Sequence, residues 1–137
     1  MKKFLWTALF CALLACPASQ TSAQKEKKSA KKDADPCPEA RTQADLNVCA
    51  DSKYTKADAE LNRVYQELMR ASGGRDQKLK SAQLAWLKFR DAQCDYEASF
   101  NEGGSMQPMT YSFCLADVTK ARTKQLRESL KELQGEK

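Results

Sequence analysis

The sequence predicts an all-α fold: a small disulfide-bonded antiparallel bundle of about three helices, following a signal peptide and a flexible linker. Three observations point to it. Apolar residues recur at spacings of three and four along three consecutive stretches. Glycine-bearing segments separate those stretches. Four cysteines, Cys37, Cys49, Cys94 and Cys114, lie within the same region, an even number, as a disulfide framework requires. No segment shows strand alternation with turn punctuation.

The first predicted helix covers residues 42–71. Thr42 suits its N-cap, and Asp45 follows three residues later near the positive helix end. Leu46, Cys49, Ala50, Ala57, Leu61, Val64, Tyr65, Leu68 and Met69 mark its apolar face. Asp51, Ser52 and Lys53 form a weak spot where a kink or restart is expected. Ser72-Gly73-Gly74 ends the helix. The second helix is predicted over residues 76–100, with Leu79, Ala82, Trp86, Phe89 and Tyr96 as its stripe. The third is predicted over residues 110–133, with Leu115, Val118, Arg122, Leu126, Leu130 and Leu133 on one side. Trp86, Phe89, Leu61, Val64, Leu115 and Val118 are expected to meet in the core. Four cysteines allow three connectivities. Local pairing, Cys37 with Cys49 and Cys94 with Cys114, is preferred over a Cys49–Cys94 bridge across two helices. A zinc site lacks support, because the chain contains no histidine and no CxxC spacing.

The N-terminus reads as a secretory leader over residues 1–23. Lys2 and Lys3 precede an apolar run too short to span a bilayer, and Thr21-Ser22-Ala23 suits signal peptidase. A second reading stays open: Leu13-Leu14-Ala15-Cys16 resembles a lipobox, which would make Cys16 a lipid anchor. Residues 24–35 carry no large apolar side chain and read as a flexible Lys-rich linker. That leaves residues 36–137 as one folded domain, at an exported, periplasmic or envelope-associated location.

The chain's net charge of +5 misleads if taken as a binding face. From Cys37 onward there are 16 Lys plus Arg and 15 Asp plus Glu, a net of +1. Basic residues there alternate with acids, and no aromatic stacking platform runs between them. Nucleic acid is therefore not an expected partner. An enzyme is not expected either. The usual general base near neutral pH is missing, no nucleophile motif occurs, and carboxylate pairs on a helix surface are ordinarily solvated. No catalytic residue, metal ligand or cofactor is assigned.

Ordered motifs nonetheless run through the domain. Ala40-x-Thr42-Gln43-x-x-x-Asn47-x-Cys49 comes first, then Asp58-x-Glu60-Leu61-Asn62-x-x-Tyr65. Gln83-x-Ala85-Trp86-x-x-Phe89-Arg90-Asp91-x-x-Cys94 follows, then Gly103-Gly104-Ser105, and finally Cys114-x-x-x-x-Thr119-x-x-Arg122-Thr123-x-x-Leu126. This order and spacing resembles the LprI-type lysozyme-inhibitor family, small exported α-helical proteins of bacteria. The resemblance implies a protein partner, lysozyme. Its candidate contact is a disulfide-anchored loop over residues 101–111. Gly103 and Gly104 allow close backbone approach, Ser105 offers a hydroxyl, and Met106, Met109 and Tyr111 offer adaptable contact area. Asn62, Gln83, Arg90 and Arg122 are read as structural polar residues, the first three partly buried beside the apolar stripe, with Arg90 bridging to Asp91 or Asp58. Many lysozymes are strongly cationic, and a domain of near-zero net charge is expected to attract them weakly. The alternative function is an envelope structural or interaction module with no lysozyme contact. Oligomeric state is left open.

Overall fold

A computed structural model describes residues 37–135. The leader, Cys16 and the linker lie outside them. Among the described residues there are three helices and no strand: α1 Gln43–Ala71, α2 Asp76–Ser99 and α3 Gln107–Gln134. None is long and apolar enough to cross a membrane.

Local chemistry accounts for the helix ends. Thr42 is extended and its hydroxyl accepts from the Asp45 N–H at 3.1 Å. The Asp45 carboxylate in turn accepts from the Thr42 N–H at 2.9 Å and the Arg41 N–H at 3.1 Å. This reciprocal box satisfies amides that a helix start leaves without partners. The Arg41 amide, followed by the Thr42 hydroxyl, holds Asp45 below its ordinary carboxylate pKa. α1 runs unbroken through Asp51, Ser52 and Lys53, where a kink was expected. Ala50 and Ala57 are buried on either side of them, and that packing carries the helix through a stretch of modest propensity. Gly73 and Gly74, at φ +55° and +87°, make the turn into α2.

α3 starts three residues earlier than its sequence suggests. Pro108 sits in its first turn, where a missing N–H costs nothing and the fixed φ suits a helix. The loop between α2 and α3 is correspondingly short.

α1 and α3 run parallel. Gln43 meets Met109 and Glu60 meets Arg127, at sequence offsets of 66 and 67. α2 runs antiparallel to both, as its Arg122–Gln83 and Cys94–Cys114 links to α3 require. The largest interface is between α1 and α3, and α2 packs mainly on α3. One core cluster joins Leu61, Val64 and Leu68 to Leu126, with Trp86, Leu79, Tyr65 and Leu130 against it. The other joins Cys94, Cys114 and Leu115, flanked by Tyr54, Tyr111 and Val118. Both local disulfides are present, Cys37–Cys49 and Cys94–Cys114, with Cα separations of 6.1 and 5.5 Å.

The core departs from its expected membership on α2. Leu61, Val64 and Leu115 are buried, and Trp86 and Val118 are half-buried, but Phe89 and Tyr96 point to solvent. The buried residues of α2 are Gln83, Arg90, Cys94 and Ala98. α2 therefore turns a mixed stripe inward, with Cys94 and Ala98 toward its end and Gln83 and Arg90 before them. The two long polar side chains suit their positions, because α2 stands off from α1 and something must span the gap. On α3, Thr119 and Thr123 are buried while Leu133 is exposed. Thr123 satisfies its hydroxyl by donating to the Thr119 carbonyl at 2.9 Å.

Candidate functional site

Three segments distant in sequence come together at one end of the bundle: the start of α1, the end of α2 with its loop, and the start of α3. The loop there is held at many points. The Asn101 N–H donates to the Ala98 carbonyl, the Gly104 N–H to Asn101, and the Gln107 N–H to Gly104. The Asn101 side chain donates to Thr110 Oγ1 at 3.1 Å, and Gln107 Oε1 accepts from the Gly103 N–H at 3.0 Å. α1 reaches over to the same loop: Asn47 Nδ2 donates to the Ser105 carbonyl at 3.3 Å. Gln43 Nε2 donates to Asn47 Oδ1 at 2.9 Å and lies 3.7 Å from Met109 Sδ. The Cys94–Cys114 bridge crosses beneath.

Of the six candidate contact residues, four form the loop's exposed tip: Gly103, Gly104, Ser105 and Met106. Gly103 adopts φ +71°, which a side chain would strain, and a Cβ on Gly104 would stand 3.2 Å from the Asn101 carbonyl. Met109 and Tyr111 belong to α3 and are half-buried; they support the loop from below. Tyr111 packs on the disulfide cluster, and that burial raises its pKa.

The structural polar residues occupy a separate place, midway along the bundle. Arg90 Nε and Nη2 both reach Asp91 Oδ1, at 2.9 and 2.8 Å, and Nη1 lies 3.6 Å from Asp58 Oδ1. Its guanidinium also lies over the rings of Tyr54 and Trp86, at 5.5 and 5.3 Å. Arg122 lies 5.8 Å from the same Trp86 ring and donates to Gln83 Oε1 at 3.1 Å. Burial lowers the Arg122 pKa. Trp86 is thus in contact with two cations. Asn62 differs from its expected placement. It is exposed and donates to Asp58 Oδ2 at 2.9 Å, at the rim of an open groove that it shares with Lys80, Gln83, Leu84 and Leu87 of α2.

The electrostatics of the loop end were not legible in the chain's net charge. Residues 89–119 carry Asp91, Asp95, Glu97, Glu102 and Asp117 against Arg90 alone. Residues 37–53 carry Glu39, Asp45 and Asp51 against Arg41 and Lys53. Helix directions place the start of α1 and the stretch around the loop at one end of the bundle. Asp91 pairs with Arg90 and Asp117 with Lys120, at 2.8 and 2.9 Å, which leaves Asp95, Glu97 and Glu102 outside any ion pair among the described residues. The pinned loop sits at this acidic pole of the domain.

A family model for the lysozyme inhibitor LprI matches residues 34–126. The chain belongs to the LprI lysozyme inhibitor family. The match includes the four cysteines of the two disulfides, the loop and the Arg90 cluster, so the features described above fall within the LprI domain. An uncharacterized protein of Rhizobium meliloti (strain 1021) is 38% identical over 130 residues, covering 85% of this chain and 88% of that relative. No solved structure matches the chain.

Proposed function

We propose that this LprI-family protein is exported and inhibits lysozyme by presenting the loop tip, Gly103 to Met106, to the enzyme's cleft. The supporting observation is the coincidence of a pinned loop with an exposed tip and the acidic pole. A loop already held by Asn47, Gln107, Thr110 and the Cys94–Cys114 bridge loses little conformational freedom on binding. Met106 gives it an exposed apolar contact. The surrounding carboxylates supply attraction for a cationic enzyme that the domain's overall charge does not. Two disulfides suit an oxidising compartment outside the cytosol, and family membership points the same way. The protein acts by binding and needs no catalytic group of its own.

Lysozyme-driven clearing of Micrococcus cells, with and without the purified oxidised protein, tests this reading. Slower clearing is expected, and Met106→Ala should weaken the effect with the helical circular-dichroism signal unchanged. Unaltered clearing at micromolar excess would remove the inhibitor reading and leave an envelope interaction module.

A further inference from the structure

α2 has one face that nothing among the described residues covers. Phe89, Tyr96 and the C-cap residue Phe100 are 58%, 62% and 72% exposed, while the helix's buried residues lie on the opposite side. The exposed positions Ala82, Ala85, Phe89, Ala92, Tyr96 and Ser99 follow each other at spacings of three and four. That is a seven-residue repeat, the pattern of a seam between two packed helices. Beyond Asp76 in its first turn, charges along α2 are sorted by sign. Lys78, Lys80, Lys88 and Arg90 come first, and Asp91, Asp95 and Glu97 follow. Lys88 and Asp95 flank the seam on one side, seven residues apart, and neither forms an ion pair among the described residues.

We propose that a second copy of this chain covers the face, with α2 packed antiparallel on α2 about a two-fold axis. Only that direction suits both the shape and the charge. In antiparallel register Phe89 meets the second copy's Ala92, and Tyr96 meets the second copy's Ala85, so each large ring falls opposite a small residue. In the same register Lys88 stands against the second copy's Asp95, and the two-fold makes this pair occur twice. A parallel pairing would set Phe89 on Phe89 and Tyr96 on Tyr96, and would carry Lys88 and Asp95 to the second copy's Gln93 and Phe100 instead of to each other. The seam runs about 27 Å along a single helix, so it buries less than the roughly 800 Å² per partner of a standard complex. The dimer is therefore weak and concentration-dependent. Its antiparallel direction sends the two loop tips to opposite ends, where both stay free.

Sedimentation equilibrium of the full mature oxidised protein, from about 5 to about 500 μM in low salt, tests the proposal. The mass is expected to rise from one copy toward two. Ala92→Glu should remain monomeric with an unchanged helical signal. Lys88→Asp and Asp95→Lys should each weaken the dimer about tenfold, and the double variant should restore it, because only a two-fold antiparallel seam exchanges these two positions. A monomer throughout the range overturns the proposal, as does a dimer indifferent to Ala92→Glu or a double variant without recovery.

Discussion

Arg90 shows how much of this small domain depends on one side chain. It is buried, yet it carries a charge, and three kinds of contact stabilise it there: the Asp91 hydrogen bonds, the Asp58 charge, and the faces of Tyr54 and Trp86. Its Nη1 has no hydrogen-bond acceptor among the described residues, so the ring faces and the Asp58 charge compensate it. A planar guanidinium can stack and donate at once, whereas an ammonium cannot. Arg90→Ala is therefore expected to cost about 2–3 kcal/mol, and Arg90→Lys should recover less than half of that in urea unfolding. Equal stability of Arg90→Lys and the wild type would show that only charge matters here. Glu60 offers a pH test at the same scale. It accepts from Arg63, and from Arg127 across the α1–α3 interface, and Arg63 above all lowers its pKa to about 2. The folded value lies below the ordinary 4.5, so the stabilisation is fully present above pH 4.5. It is lost as pH falls through about 2. The melting-temperature difference between wild type and Glu60→Gln should be present at neutral pH and close on acidification through that window.

Among the elements, the loop proposed to meet the partner is fixed by the helices around it. Its rigidity has a covalent part, the Cys94–Cys114 bridge, and a polar part, Asn47 on the Ser105 carbonyl. The bridge closes a loop of sequence separation 20. Replacing both cysteines with alanine should cost about 2–5 kcal/mol, read as a lower unfolding midpoint. Asn47→Ala should instead leave the midpoint within about 1 kcal/mol but speed hydrogen exchange at the Gly103 and Gly104 amides. If exchange there is unchanged, α1 does not pin the loop. The helix limits were largely legible in sequence, because caps and stops are local: Thr42 with Asp45, Gly73-Gly74, and the break after Phe100. The start of α3 was not, since a proline reads equally as a loop residue or as the first turn of a helix.

For the whole molecule, charge matters more than any single contact. The domain's near-zero sum conceals an acidic pole at the loop, where Asp95, Glu97 and Glu102 stand outside any ion pair among the described residues. Inhibition of a cationic lysozyme should therefore weaken as salt rises from about 50 to about 200 mM, chiefly through slower association. A charge-reversed Glu97→Lys/Glu102→Lys protein should lose that salt dependence. A salt-independent inhibition constant would count against the pole as the docking end. Part of this pole lies in one stretch, residues 91–117, which holds five carboxylates and no basic residue; the net charge hides it, and only the bundle adds the start of α1 beside it.

The same distinction separates what the sequence decided from what the bundle decided. Helix number, caps, the short-range sulfur pairs and the family were determined by residues close to one another along the chain, where propensity, capping and loop closure act. Which side of α2 faces inward was settled only by packing. α1 and α3 pair in parallel and leave α2 standing off, so Gln83 and Arg90 bridge the space while Phe89 and Tyr96 stay in water. A helix's apolar stripe says that one face seeks a partner; where that partner lies depends on every other helix.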